Sequence, residues 1–418
     1  MIKSYIYPMT IIGILFFVFG FLTWINGILI PYFQICLELN NFQSTWVAFA
    51  SYTAYFVMAL PSAWILKYTG YKKGMFFGLV VMAVGTALFV PAAYLRTYPL
   101  FLAGLFITGS GLALLQTAAN PYVAIIGPIE SHAQRIGFMG LANKIAGLLS
   151  LAIFGSVFLF DADTVVSQAA RVSPAVKAQI LDDYALKIVD PYMIVTAVLL
   201  VLSVMIYFSG LPEVNEATNE DTDTGQPAKR SILHYPYLLF GVLALFCSAA
   251  CEVIPIDGII IYSNSLGIPI NESRHFAKYT LYTMIVGYIA STLLIPKYLS
   301  QQHALRFCAV WGILLTAGAY FTEGLVSVVC LVLMGFSSAM LWGTIWGLSL
   351  RGLGKYTRLG SALLLMAVIG GGFFSVVFGK LIDLNGIQPQ NAILLLLPCY
   401  LILFFFATWG YKIKSYRS

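Results

Sequence analysis

Residues 109–150 read GSGLALLQTAANPYVAIIGPIESHAQRIGFMGLANKIAGLLS. The stretch runs down one apolar segment, turns in a short polar loop and climbs another. Gln116, Thr117 and Asn120 lie on the way down, Asn143 and Lys144 on the way up. Lipid cannot solvate a polar side chain, so one survives in a hydrocarbon-length run where it faces a partner helix or a water-filled cavity. A lysine is the most costly of these residues to keep. The stretch reads as half of a solute-binding cavity in a membrane transporter, and the rest of the chain is read outward from it.

Composition agrees. Of 418 residues, 60% are hydrophobic and only 10% charged. Soluble domains are nearer half apolar and a quarter charged. With this balance the net charge of +6 says less about partners than the placement of Lys and Arg does. A nucleic-acid partner is not expected. Of the six cysteines, all but Cys36 lie in apolar runs, and none has metal-site or disulfide-framework spacing. They read as small apolar packers. No cleavable signal pattern precedes the first apolar segment, so that segment is taken as a span.

Twelve spans are expected: 9–32, 45–66, 74–95, 99–126, 136–160, 190–210, 236–262, 276–296, 304–321, 325–350, 360–382 and 391–411. Each is near the roughly 20 residues a helix needs to cross the hydrocarbon core. Pro61, Pro121 and Pro255 mark expected kinks. An even count puts both termini on one side. With that side cytoplasmic, fifteen Lys and Arg lie inside and seven outside, leaving Lys144 in the membrane. The positive-inside rule then fixes the orientation, in a bacterial inner membrane. The acidic, polar run 213–231 reads as a cytoplasmic linker between an N-terminal half, 1–212, and a C-terminal half, 232–418. The segment 161–189 lies outside and reads as a short amphipathic helix, capped by Ser173 with Pro174 first. Asp161 and Asp163 read as a solvated helix end rather than a metal site.

The halves echo each other. Lys67-Tyr68 matches Lys297-Tyr298 at an offset of 230, and Arg135-Ile-Gly137 matches Arg358-Leu-Gly360 at 223. A glycine follows each arginine twelve residues on, Gly147 and Gly370. A parallel six-span repeat is the plan of the major facilitator fold, with its substrate site between the halves near the midplane. The expected fold is therefore an all-α membrane protein of twelve helices in two pseudo-symmetric halves. The loop AWILKYTGYKKG, 63–74, is similar to the signature loop of that superfamily. Gly70 and Lys72 match it, and Lys67 stands where the signature has an acid. Lys67, Gly70, Lys72, Arg135 and Arg358 are the candidate gating residues.

FGFLTWINGILIPYFQ in span 1, NNFQSTWVAFASYTAYFVMALPSAWILKYTGYKKG after it and LLQTAANPYVAIIGPIESHAQR in span 4 resemble the fucose/proton symporter family. That family includes bacterial glucose/galactose transporters. LWGTIWGLSLRGLGKYTRLGSALLLMAVIGGG is similar to its spans 10 and 11. The resemblance covers nearly the whole chain, and TAANP is its most specific piece. The chain departs from it at telling places. Fucose symporters carry an acid after the span 1 asparagine, where this chain keeps Asn26 but has Gly27. They carry Glu before TAANP, and this chain has Gln116, as the glucose/galactose branch does. In span 5 only Asn143 of their Gln and Asn pair survives, with Gly140 at the other position, and in span 10 an aromatic-Pro pair is replaced by Trp342-Gly343. Both proton-carrying acids of the family pattern are thus replaced.

The remaining intramembrane charges are Lys144, Glu252 and Asp257. A buried carboxylate is a natural proton carrier, and Glu252 in span 7 is the first choice. Asp257, after Pro255, reads more simply as the cap of a broken helix. Helix rise puts Lys144 about 12 Å and Glu252 about 24 Å from the cytoplasmic edge, a gap a lysine spans in part. For a sugar, Asn26, Gln116, Asn120 and Asn143 supply groups that both donate and accept, and Trp24, Trp342 and Trp346 supply apolar faces. Asn264 sits near the outer loop. The expected function is import of a monosaccharide by alternating access, with glucose, galactose or a related hexose as substrate. Proton coupling is preferred to sodium coupling. A monomer with no cofactor and no metal is expected. The alternatives are a facilitator, a carrier of fucose or an amino sugar, and a sugar sensor without transport. A sensor would need an output domain that neither the linker nor the short tail provides. A polytopic enzyme is disfavoured because His132, His234, His275 and His303 are scattered over span ends. No phosphate-binding glycine loop points to ATP.

Overall fold

The computed structural model describes residues 3–125, 132–211, 232–295, 298–351, 353, 356–384 and 388–413. The expected linker, 213–231, lies outside them. Among the described residues the secondary structure is helical throughout, as backbone groups in lipid must be satisfied within their own segment. The first half runs α1 (Lys3–Thr23), α2 (Asn26–Cys36), α3 (Asn41–Ser44), α4 (Trp46–Ala87), α5 (Phe89–Leu95), α6 (Tyr98–Ile125), α7 (His132–Phe158), α8 (Ala162–Ala169), α9 (Pro174–Leu186) and α10 (Val189–Phe208). The second runs α11 (Pro236–Val253), a π-helical turn (Ile254–Gly258), α12 (Ile259–Ser265), α13 (Ile270–Ser273), α14 (Phe276–Leu294), α15 (Gln301–Phe321), α16 (Gly324–Leu350), α17 (Thr357–Met366), α18 (Ile369–Ile382), α19 (Gln390–Ile393) and α20 (Leu396–Thr408).

Ten segments among the described residues are long and apolar enough to cross a membrane. One of them, Asn41–Leu95, is 55 residues long and holds two crossings, spans 2 and 3. Their helices run together through Gly70, whose φ of 74° and ψ of 173° mark the reversal. Only glycine adopts that backbone without strain. The twelfth crossing is α14, whose apolar run is interrupted by Lys278, tyrosines and threonines.

Span 1 is not continuous. It breaks at Trp24-Ile25, between α1 and α2. Span 7 loosens into the π turn around Pro255, where the ring removes a backbone donor. The two irregularities fall about one repeat offset apart and pack against each other. By contrast, Pro61 lies inside α4 without ending it, and α6 continues past Pro121. The halves meet along three helix pairings: spans 1 and 7, spans 2 and 11 (α4 with α18), and spans 5 and 8 (α7 with α14). The last two are exchanged by the repeat, so the interface is itself pseudo-symmetric. Gly372 of α18 lies close to α4; a Cβ there would be 2.8 Å from Phe49 Cα.

The segment after span 5 corrects the sequence reading. It forms two helices, α8 and α9. Ser173 precedes Pro174 as expected, but its side chain makes no capping bond. Asp161 pairs with Lys187 at 2.5 Å. Asp163 is no solvated end: its carboxylate accepts the Ile270 and Asn271 amides of the other half, at 3.1 and 2.9 Å. All six cysteines are free.

Candidate functional site

The break in span 1 sets the site. Trp24 is 4% exposed and packs against α7, where Gly147 makes room. A Cβ at Gly147 would stand 2.3 Å from Trp24 Cδ1. The indole N–H donates to Asn143 Oδ1 at 3.2 Å. The next residue on α7, Lys144, places its ammonium 3.9 Å from the Trp24 ring centroid and 5.6 Å from that of Tyr288. Lys144 Nζ donates to Glu252 Oε1 at 2.9 Å. An ammonium of the first half is thus held by a carboxylate of the second, over an aromatic face.

Helix rise alone underestimated this contact. α7 begins at His132, four residues before the expected start, which adds about 6 Å to the height of Lys144. The lysine side chain covers the remainder. Taking both charges out of water is costly, and good geometry repays it. Removing one partner from such a buried pair costs about 3–5 kcal/mol.

Asn26 of span 1 faces a second space. Asn26, 3% exposed, accepts from Ser51 Oγ at 3.4 Å. Gln116 Nε2 donates to the Tyr55 hydroxyl at 3.4 Å. Asn26, Ser51, Tyr52, Tyr55 and Thr108 line a cavity of about 20 Å³ between spans 1, 2 and 4. That is room for about one water-sized group. A larger groove lined by Phe240, Leu243, Leu401 and Phe405 is almost wholly apolar and offers a sugar nothing to bond to.

Trp342 and Trp346 stack on each other along α16, centroids 5.2 Å apart at 22°. Neither makes a hydrogen bond or ring contact with the Lys144 cluster. Asp257 is wholly buried in the π turn, and neither carboxylate oxygen has a hydrogen-bond partner. Asn264 is exposed at the end of α12. Among the loop residues, Lys67 is exposed and Lys72 Nζ donates to the Ser209 carbonyl at 2.5 Å. The side chains of Asn120, Arg135 and Arg358 lie outside those described.

Sequence reading missed Ser51, Tyr52, Tyr55 and Tyr288. The first three share one face of α4 at helical spacing, a polar stripe in an apolar run, and that signal was available. Tyr288 had none, because Gly140, where a Cβ would stand 3.3 Å from its ring, belongs to the other half.

At the bundle face away from the termini, the halves are tied together twice by the same device. Asp163, following span 5, receives the first amides of α13. Asp383, closing span 11, receives the Phe42 amide at 2.7 Å, the Asn41 amide at 3.2 Å and the Asn41 side-chain amide at 2.7 Å. Arg274 adds a bond to the Gly155 carbonyl at 2.9 Å.

Twelve crossings in two repeated halves, with a polar and ionic centre between them, define a solute carrier. The family model of the Major Facilitator Superfamily matches residues 12–359. A glucose/galactose transporter of Brucella abortus (strain 9-941) is 31% identical over 414 residues, covering 98% of this chain and 95% of that protein. The L-fucose-proton symporter of Escherichia coli K12 is 30% identical over 412 residues, covering 97% and 93%. The crystal structure of the major facilitator transporter FucP in its outward conformation superposes with a TM-score of 0.74 at 28% identity, covering 99% of each chain. A D-xylose-proton symporter shares the fold, with a TM-score of 0.67 at 15% identity over 98% and 97%. The chain belongs to the Major Facilitator Superfamily, and within it to the family of the glucose/galactose transporters and fucose-proton symporters.

Proposed function

We propose that this protein carries a hexose across the cytoplasmic membrane by rocking its two halves about the central site, with both termini in the cytoplasm. The face tied by Asp163 and Asp383 is then the outer one, and the structure is closed to the outside. The relatives' names point to glucose or galactose first and fucose second. Supporting side chains are the amides Asn26, Gln116, Asn120 and Asn143 and the aromatic faces of Trp24, Trp342 and Trp346. Amides suit hydroxyls because they both donate and accept.

The observation that carries this reading is the Lys144–Glu252 pair at 2.9 Å between the halves. It is the kind of contact that substrate and coupling ion can remake. Proton coupling is favoured over sodium coupling, and a fucose-proton symporter among the relatives supports it. A proton placed on Glu252 abolishes the pair and frees the Lys144 ammonium for a sugar hydroxyl. A monomer suffices for this cycle.

The test is uptake of labelled glucose, galactose and fucose into proteoliposomes under imposed pH or sodium gradients. Accumulation driven by an inward proton gradient is expected. Uptake indifferent to both gradients would remove symport and leave a facilitator. Sugar binding without exchange would leave a sensor. A Glu252→Gln variant that still concentrates sugar would remove Glu252 as the carrier.

A further inference from the structure

Two acids stand on span 7, five residues apart, and only one has a partner. Glu252 is held by Lys144. Asp257 is 0% exposed, and neither of its oxygens is hydrogen-bonded. It faces Gly27 across the boundary between the halves. A Cβ at Gly27 would lie 3.5 Å from Asp257 Oδ1 and 3.5 Å from its Cα. The Gly27 backbone amide lies beside the carboxyl and is the backbone group that acts on it.

The juxtaposition follows from the repeat. Lys67-Tyr68 and Lys297-Tyr298 are 230 residues apart, as are Gly27 and Asp257. The outer helices α3 and α13 give 229. Equivalent places on spans 1 and 7 therefore meet at the pseudo-twofold axis. One carries no side chain and the other carries an acid in van der Waals reach of it. The π turn supplies the irregular backbone that aims it there, and Thr280 fastens that turn by donating to the Pro255 carbonyl at 2.9 Å.

An isolated carboxylate ion is among the most costly groups to bury, and a neutral acid far less so. Titratable groups acting on Asp257 are Glu252 on its own span and Tyr52 on α4. Lys144, the cation of the neighbouring cluster, is engaged with Glu252. Phe378 of α18 packs on Gly258, the next residue of the turn.

We propose that Asp257, seated against Gly27, is a proton-binding site of the transport cycle that must be neutral for the outer side to close. The proton comes from outer water while the halves are parted there. Closing the halves buries the neutral acid. The ionised acid holds the outer side open, so closure, and with it sugar movement, requires the proton. This inference rests on the transport reading.

The experiment has two arms. In proteoliposomes at equal pH on both sides, wild-type sugar exchange should fall at least tenfold from mildly acid to alkaline pH. Asp257→Asn should exchange at every pH and should not accumulate sugar under a proton gradient. Moving the acid across the axis, Gly27→Asp with Asp257→Gly, should restore the pH dependence. An Asp257→Asn variant that accumulates sugar, or that keeps the wild-type pH profile, overturns the proposal.

The second arm needs neither sugar nor a working carrier. Infrared spectra of the purified wild type at neutral pH should show the carbonyl band of a protonated carboxylic acid. Glu252→Gln should retain the band and Asp257→Asn should lose it. No such band in the wild type overturns the proposal, whatever the variants do. A wild type that shows the band but exchanges no sugar breaks the transport reading and leaves the protonated acid in place.

Discussion

The outer rim and the centre of the bundle join the same two halves by opposite logics. At the rim the join is symmetric: an acid following span 5 or closing span 11 receives the first amides of a four-residue helix in the other half. At the centre it is asymmetric. The first half brings a lysine, amides and an indole, and the second brings two acids and a tryptophan stack. A duplicated gene supplies symmetric latches without further change, and closing a gate asks both halves for the same thing. A sugar has no twofold axis, so its site must depart from the repeat. The rim preserves the duplication and the centre departs from it.

The largest expected effect comes from breaking the asymmetric join. Lys144→Met or Glu252→Gln alone leaves a charge or its partner stranded, at about 3–5 kcal/mol. The double variant strands neither and should recover most of the lost stability. Thermal unfolding of the purified proteins, as a double-mutant cycle, decides it; additive losses would show that the two residues do not act as a pair.

Removing one face of the tryptophan stack comes next. Trp342→Ala should raise the KM for sugar roughly tenfold, about 1.4 kcal/mol, while leaving the melting temperature near wild type. An unchanged KM would place the stack outside the sugar path.

The rim is tested by Asp163→Asn and Asp383→Asn. Each weakens charge-assisted bonds to backbone amides by about 1 kcal/mol, roughly fivefold in the closed-to-open balance. Labelling of a cysteine placed between the halves on the Asp163 and Asp383 side reads that balance. If the latches are equivalent, the two shifts match; a large difference would break the symmetry argument.

The smallest effect lies beside the rim, at His275. Burial first, then Lys278 and Arg274, lower its pKa from 6.5 in the folded protein. The unfolded chain therefore binds the proton more readily, and stability falls as pH drops through about 6.5 towards the lowered value. His275→Gln should remove that slope from the melting temperature. A slope that persists would assign it elsewhere.

The crossings and the repeat were legible because lipid enforces them residue by residue. Apolar length, the Lys and Arg count and the matched pairs at 230 and 223 needed no contact information. Glu252 and Lys144 were legible as costly charges, while their pairing depended on where α7 starts. The latches were not legible. Asp383 meets Asn41 across 342 residues, and an acid at a helix end ordinarily faces water. Asp257 looked like a cap for the same reason. It lies against Gly27, a residue of the other half that sequence spacing alone does not place beside it.

The Lys144–Glu252 pair also has an electrical consequence. Its charges cancel, so it adds nothing to what the membrane potential can pull. If the transported proton sits on Asp257 and the Lys144–Glu252 pair stays ionised and intact, the sugar-laden protein rocks without moving net charge. The potential then acts on the empty carrier with its acid ionised, at about 2.3 kcal/mol per charge per 100 mV for a full crossing. An energised membrane would therefore speed resetting of the carrier more than delivery of the sugar.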